Sequence, residues 1–479
     1  MNEKSESDQT TGRQDTSGET AAQRFRQEVF TNSTTMSWEG RLNTQEFSTA
    51  AIELFGTIDI DSNGFLSDQE LAGALETEYT GQRAQAVAGL FGARETLGSL
   101  HDDEILRDND GITLADLEAF EQRANRDETV RGYIDGVSQW LKDADKIKEI
   151  DINRDGILSL EEIESARADK NSTGDDRAKL NFLQINYRAL ARDSDADGQK
   201  NGISGEDLLQ SPDRAVREVE EIVDRTNLVQ QVGTRQLYRR GNPETSIIPD
   251  AISQGDSANN QFLSALGSLA AADPEQIYKM IQDNQDGTYT VTFPGDRDNP
   301  VTVEAPTEAE LGTYNQGAEY GVWANVLEKA YGKYCRENSF GSLFNLSGGD
   351  STVESGNGSN ITDSATLSLL TGKESDTDFL LFSSEEDLAK NLTTALTGRD
   401  REPVTASIRE LLLTDSTEAG LEDGRSYSVV AYDPEGGQGG TLTIRDTDGN
   451  TSNYPGGYFQ LSLTEFMDNF TTITVSQPN

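Results

Sequence analysis

Asp59, Asp61, Asn63, Ser67 and Glu70 stand at the first, third, fifth, ninth and twelfth positions of one short stretch. Asp151, Asn153, Asp155, Ser159 and Glu162 repeat the spacing further along the chain. Side-chain oxygens at that spacing suit a hard cation, and calcium is the cofactor they predict. Gly64 and Gly156, both sixth, take the sharp turn that a side chain would obstruct. The carbonyls of Phe65 and Ile157 supply the seventh-position ligand. Glu70 and Glu162 close each loop with two oxygens.

Ligands so arranged need a helix on either side of the loop. Phe47, Ala51, Leu54 and Phe55 fall on one helical face before the first loop, and Leu71 and Leu75 do so after it. Ile134, Val137 and Leu141 repeat the spacing before the second. The pattern resembles the EF-hand calcium loop, and it comes in pairs. Asp110-Gly111-Ile112-Thr113 follows the first loop and Asn201-Gly202-Ile203-Ser204 follows the second. Paired EF-hands bridge through their apolar eighth residues, here Leu66 with Ile112 and Leu158 with Ile203. The irregular loops run from Asp102 to Asp116 and from Asp193 to Asp207, and each ends in Asp where a Glu would reach the ion with both oxygens. Asp193, Asp195, Asp197, Asn201 and Asp207 form a weaker metal set. Asp102, Asp108 and Asp110 form a poorer one still.

The chain has 85 acidic and 40 basic residues, a net charge of −45. That charge repels phosphate backbones and anionic membranes, so nucleic acid is not an expected partner. No apolar run is long enough to span a bilayer, and the N-terminus lacks an apolar signal core. The expectation is a soluble, cytoplasmic protein. A single cysteine, Cys335, excludes an internal disulfide framework. Residues 1–43 are polar and read as disordered, 44–125 as the first loop pair, 126–210 as the second, and 211–240 as a helical linker. From 241 to 479 the pattern becomes α+β. Strands are expected at 288–293, 301–303, 427–432 and 441–444, helices at 258–283 and 320–334, and a Gly/Ser-rich loop at 346–360.

Four ordered segments of this second half resemble the calpain family of papain-like cysteine proteases. Gln254-Gly255 precedes Asn260-Gln261 as a Gln-Gly pair precedes Cys-Trp in the family. Trp323 leads a helix carrying Leu327-Glu328-Lys329-Ala330-Tyr331. Gly424-Arg425-Ser426-Tyr427-Ser428-Val429 is similar to Gly-His-Ala-Tyr-Ser-Val, and Arg445-Asp446-Thr447-Asp448-Gly449 to Arg-Asn-Pro-Trp-Gly. The resemblance implies a multidomain fold, all-α EF-hand pairs followed by an α+β papain-like domain. It also implies that Gln254 matches the oxyanion-hole position, Asn260 the nucleophile, Arg425 the imidazole and Asp446 the orienting amide.

A papain-type reaction needs a thiolate beside an imidazole. This chain holds one Cys, Cys335, and one His, His101, in separate regions, so no shift of alignment assembles the dyad. Arg425 cannot serve as a general base. The expected function is therefore calcium-dependent binding or regulation of a protein or peptide partner by a pseudoenzyme. The alternatives are a calcium-dependent cysteine endopeptidase, the activity the family implies, and a structural calcium buffer.

Overall fold

The computed structural model describes residues 42–101, 111–141, 149–154, 157–169, 174–191, 202–203, 213–232, 236–257, 259–337, 362–408, 421, 424–437, 439–447 and 455–477. The segment 1–41 and the Gly/Ser-rich stretch 346–360 lie outside the described residues. So do Asp102, Asp108, Asp110, Asp155, Gly156, Asp193, Asp195, Asp197, Asn201, Asp207, Asp448 and Gly449.

The first region is helical. Helix α1 (Thr44–Ile58) starts where Asn43 accepts hydrogen bonds from the amides of Gln45 and Glu46 at 3.1 and 2.9 Å, while the Glu46 carboxylate accepts one from the Asn43 amide at 2.9 Å. Such a reciprocal cap satisfies amides that have no partner inside the helix and contributes about 1 kcal/mol. Then come β1 (Phe65–Leu66), α2 (Asp68–Glu76), α3 (Gln82–Gly92), α4 (Arg94–Leu97), β2 (Ile112–Thr113) and α5 (Leu114–Leu141). Strands β1 and β2 pair antiparallel, with Leu66 opposite Ile112. Helices α6 (Leu160–Ala168), α7 (Gly174–Ile185) and α8 (Tyr187–Ala191) follow, and Leu158 and Ile203 exchange both backbone hydrogen bonds, at 2.8 and 3.0 Å.

Helix α9 (Arg214–Val232) is not an exposed connector. Val216, Val219, Ile222 and Val223 are buried in the core of the first loop pair together with Phe47, Phe91 and Phe120, and Ala309 and Tyr314 of the second half join them. Phe47 and Phe120 meet edge to face at 5.4 Å. The boundary expected between 125 and 126 falls inside α5, a continuous helix. Its Leu117, Phe120 and Ala124 pack in this core, whereas Ile134 and Val137 pack in that of the second pair. The second core draws on Ile150, Leu158, Ile163, Leu180, Leu183 and Ile203, all between Val130 and Ile203.

The C-terminal half mixes helix and sheet. Helix α10 (Asn260–Ala272) and α11 (Pro274–Met280) precede β3 (Ile281–Asp283), β4 (Thr288–Val291) and β5 (Val301–Glu304), an antiparallel sheet in that order. The single helical stretch expected over 258–283 is thus divided. Asp273 caps a new helix before Pro274, and Ile281 leaves it to pair with Val291. Next come α12 (Glu308–Thr313), α13 (Trp323–Glu337), α14 (Asp363–Thr371), β6 (Ser375–Phe379), α15 (Glu385–Leu396), β7 (Val404–Ser407), β8 (Ser426–Asp433), β9 (Thr441–Arg445), β10 (Tyr458–Ser462), α16 (Leu463–Asn469) and β11 (Thr472–Ser476). Strands β6 to β11 form one antiparallel sheet in the order β10-β9-β8-β7-β11-β6. The half therefore has two cores, one of α10, α11, α13, α14 and the small sheet, the other of α15, α16 and the large sheet. Helix α10 bridges them, since its Ser264 and Ser268 hydroxyls donate to the carbonyls of Ser426 and Val404 at 2.6 and 2.8 Å. Among the described residues no helix is long and apolar enough to cross a membrane.

Candidate functional site

The loop between α1 and α2 is folded around its own acids. Gly64 has φ 92°, a left-handed turn open to glycine, and the preceding Ser62 has φ 58°. Asp59 accepts from the amides of Asn63 and Gly64 at 3.0 and 3.1 Å, and Asp61 accepts from the Asn63 amide at 3.1 Å. Asn63 Oδ1 in turn accepts from the Phe65 amide at 3.0 Å. Oxygens of Asp59, Asp61 and Glu70 all lie within 4.8 Å of one another, a set of hard donors that fits a divalent cation. Ser67 caps α2 and points its hydroxyl at Glu70 Oε2, 2.8 Å away. Glu70 Oε1 takes the Ile60 amide at 2.7 Å. Burial opposes ionisation of Glu70, but the donors of Ser67, Ile60 and Asp61 outweigh it and hold the carboxyl below its ordinary pKa.

The loop before α6 has the same frame. Glu162 Oε1 takes the Ile152 amide at 3.0 Å, and Oε2 takes the Ser159 amide and hydroxyl at 3.0 and 2.7 Å. Burial raises the Glu162 pKa, and donors from Ser159, Asn153 and Ile152 bring it below the usual value. Arg154, at the fourth position as Ser62 is in the first loop, also has positive φ, 62°. Asp151 is buried, and Asn153 and Ile157 stand in the frame at the third and seventh positions.

Asp116 closes the irregular loop before α5 in a way the sequence did not disclose. Its Oδ2 takes the Thr113 amide and hydroxyl at 2.8 and 2.6 Å, and its Oδ1 takes the His101 amide at 2.9 Å. These three donors match those on Glu70, with His101 in the second position of the frame. Counted back from Asp116 by those donors, the first position falls on Leu100, a side chain packed on the apolar core that offers no ligand oxygen.

In the C-terminal half, Gln254, Asn260, Arg425 and Asp446 adjoin one another. Asn260 opens α10 and reaches across to the large sheet. Its Oδ1 accepts from the Ser426 amide at 2.6 Å, and its Nδ2 donates to Thr447 Oγ1 at 3.2 Å and to Gln254 Oε1 at 3.3 Å. The Gln254 amide donates to the Thr447 carbonyl at 2.8 Å. Arg425 and Asp446 form an ion pair at 3.5 Å. The amide of Asn260 thus ties the two cores together and offers no nucleophile. Cys335 is buried at the end of α13, and His101 lies in the first loop pair.

Beneath this tie lies a buried carboxylate that carries no motif signal of its own. Glu328 accepts from Ser257 Oγ at 2.6 Å, Asn259 Nδ2 at 2.7 Å and the Asn315 amide at 2.8 Å. Burial pushes its pKa up to about 7 against the pull of those donors. Glu310, also fully buried, is likewise raised to about 7 by burial although Lys329 Nζ lies 2.8 Å away. Arg445 is buried too, with Nη2 donating to the Ile252 carbonyl at 2.6 Å, and burial lowers its pKa. Thr447 and Ser426 hold the tie, and only their distant positions in the chain hid them. No protein-family model matches the chain, and no curated protein matches it.

Proposed function

We propose that the chain is an EF-hand calcium-binding protein whose C-terminal half keeps a calpain-like, papain-type fold that binds and does not cleave. The observation that carries the calcium reading is the convergence of Asp59, Asp61 and Glu70 oxygens within 4.8 Å behind the left-handed turn at Gly64. Asp59, Asp61, Asn63, Ser67, Glu70 and the Phe65 carbonyl would hold calcium in the first loop. Asp151, Asn153, Asp155, Ser159, Glu162 and the Ile157 carbonyl would hold it in the second. The ion supplies charge neutralisation and a fixed loop geometry in a chain of net charge −45. The binding role of the second half rests on Asn260, whose amide is fully engaged where the calpain pattern has a thiol. A calcium-dependent endopeptidase, the competing reading, lacks a thiol–imidazole pair anywhere in the chain.

Calorimetric calcium titration of the full chain tests the assignment. Glu70→Gln and Glu162→Gln should each remove one strong site, and the double variant should retain at most weak binding. Undiminished stoichiometry in the double variant would sink the loop assignment.

A further inference from the structure

We infer that the first loop pair is wired through α2 and α12 to the segment around Gln254 and Asn260. Calcium at the 59–70 loop and the conformation of residues 253–257 are then thermodynamically coupled. This rests on the calcium reading of that loop.

The connection can be followed bond by bond. Helix α2 carries Glu70 in its first turn and ends on the second half of the chain. The Leu75 carbonyl accepts from Thr307 Oγ1 at 2.7 Å in a buried contact. Glu76 pairs with Arg336 of α13 at 2.9 Å, and the Gly81 amide donates to Glu308 at 3.0 Å. Thr307 is also the cap of α12. Its hydroxyl accepts from the Glu310 amide at 3.1 Å, and Glu310 accepts from the Thr307 amide at 2.7 Å. One hydroxyl therefore joins the end of α2 to the start of α12.

The far end of α12 holds the segment 253–257. The Asp256 amide donates to the Thr313 carbonyl at 2.7 Å, the Ser253 amide to Asn315 Oδ1 at 2.7 Å, and the Gln316 amide to the Ser253 carbonyl at 2.8 Å. Gly255 is pressed so close that a Cβ there would lie 2.0 Å from the Tyr314 carbonyl oxygen. Gln254 sits inside this clamped segment and accepts from Asn260. Helix α9 adds a second strap through the Arg225–Asp256 ion pair.

Glu70 spends both carboxylate oxygens on Ser67, Ile60 and Asp61. An ion drawn among the oxygens of Asp59, Asp61 and Glu70 would pull on that carboxyl, and the first turn of α2 carries the pull. Close-packed interiors pass such a shift on as a change between discrete arrangements and do not absorb it. Among the described residues the second pair reaches that segment less directly: its core draws on residues between Val130 and Ile203, and Arg131 of α5 pairs with Glu220 of α9, the helix whose Arg225 holds Asp256. By reciprocity, whatever orders residues 253–257 must alter calcium affinity at the first loop by the same factor.

Hydrogen exchange of the full chain, with calcium or with a chelator, reads the coupling directly, and calorimetry on the same samples reads binding. Calcium should slow exchange of the Ser253, Gln254 and Asp256 amides by about five-fold or more, the lower end of ordinary coupling. Glu70→Gln should abolish the effect and Glu162→Gln should leave it. Thr307→Val should keep calcium stoichiometry yet bring the effect below about two-fold, and Thr307→Ser, which retains the hydroxyl, should restore it. Full protection in Thr307→Val, or equal loss from Glu162→Gln, overturns the coupling alone. Absence of calcium binding at the first loop overturns the coupling and the calcium reading together.

Discussion

Around Glu70 and around Glu162 the same kinds of donor take the same two carboxylate oxygens, yet the helices leaving the two loops end in different surroundings. Helix α2 ends against Thr307 and Arg336, inside a core that also holds α9 and Tyr314. Helix α6 ends within a core made only of its own pair. A loop of twelve residues can fix its own ligand chemistry. What that loop can influence is decided by what its exit helix packs on, and two copies of one motif can differ entirely in that respect.

Deleting a core side chain from each pair should separate them most sharply. Phe47→Ala should cost about 3–5 kcal/mol, and Leu183→Ala about 2–5 kcal/mol. In urea unfolding followed by hydrogen exchange, Phe47→Ala should lower protection in the first pair, in α9 and in residues 253–257 together. Leu183→Ala should lower it only in the second pair. If the C-terminal half keeps its transition in Phe47→Ala, the first pair is a separate body and the comparison fails.

A smaller effect is expected at Glu328. Gln there turns a donor toward one of the three groups that now donate to it, a loss of about 1–3 kcal/mol. Its pH signature is more telling than its size. Glu310 and Glu328 titrate at about 7 in the folded chain, while an unperturbed Glu titrates near ~4.3. Between those values the folded state binds more protons, so stability falls as pH rises through that window and is flat above it. Glu221 on α9, raised by burial, acts in the same sense. Glu70 and Glu162 act oppositely, since their contribution is complete above the unfolded value and is lost as pH falls through their lowered folded values. The transition of the second pair should therefore rise from acid pH to a plateau. That of the joint body should decline from about pH 5 to about pH 7, and Glu328→Gln should flatten the decline. Parallel pH profiles for the two transitions would show that the buried glutamates do not distinguish them.

The last outcome is a null. Peptide cleavage should stay at background with or without calcium, and Cys335→Ser should leave it there. Calcium-dependent turnover that disappears in Cys335→Ser would mean that the chain is catalytic after all.

The sequence disclosed what is local. The oxygen spacing of Asp59–Glu70 and the apolar face of α1 depend on neighbours a few turns away at most, and the pairing of Leu66 with Ile112, far apart in the chain, was legible only because the loop pattern repeats. The division of 258–283 was missed because Ile281-Gln282-Asp283 becomes a strand only by pairing with Tyr289, Thr290 and Val291. Strand β6 was missed for the same reason, since Ser-Asp-Thr-Asp-Phe is polar and takes its form from β11, where Thr377 and Thr474 hydroxyls meet at 2.8 Å. The tie at Asn260 could be suspected from four short segments, but its partners Ser426 and Thr447 lie far along the chain. Glu328 stood in a quoted segment without any sign that Ser257, Asn259 and Asn315 would converge on it.

Helix α5 has 28 residues, a straight rod of ~42 Å at the usual rise. One end is gripped by Leu117 and Phe120 in the first core, the other by Ile134 and Val137 in the second. A rod held this way turns angle into distance. Pivoting it by ~10° at the first core sweeps its far end through roughly 7 Å, with the whole second pair carried along as its load. The second pair is thus placed as a pointer whose position follows the attitude of the first, with the Arg131–Glu220 ion pair to α9 resisting the swing.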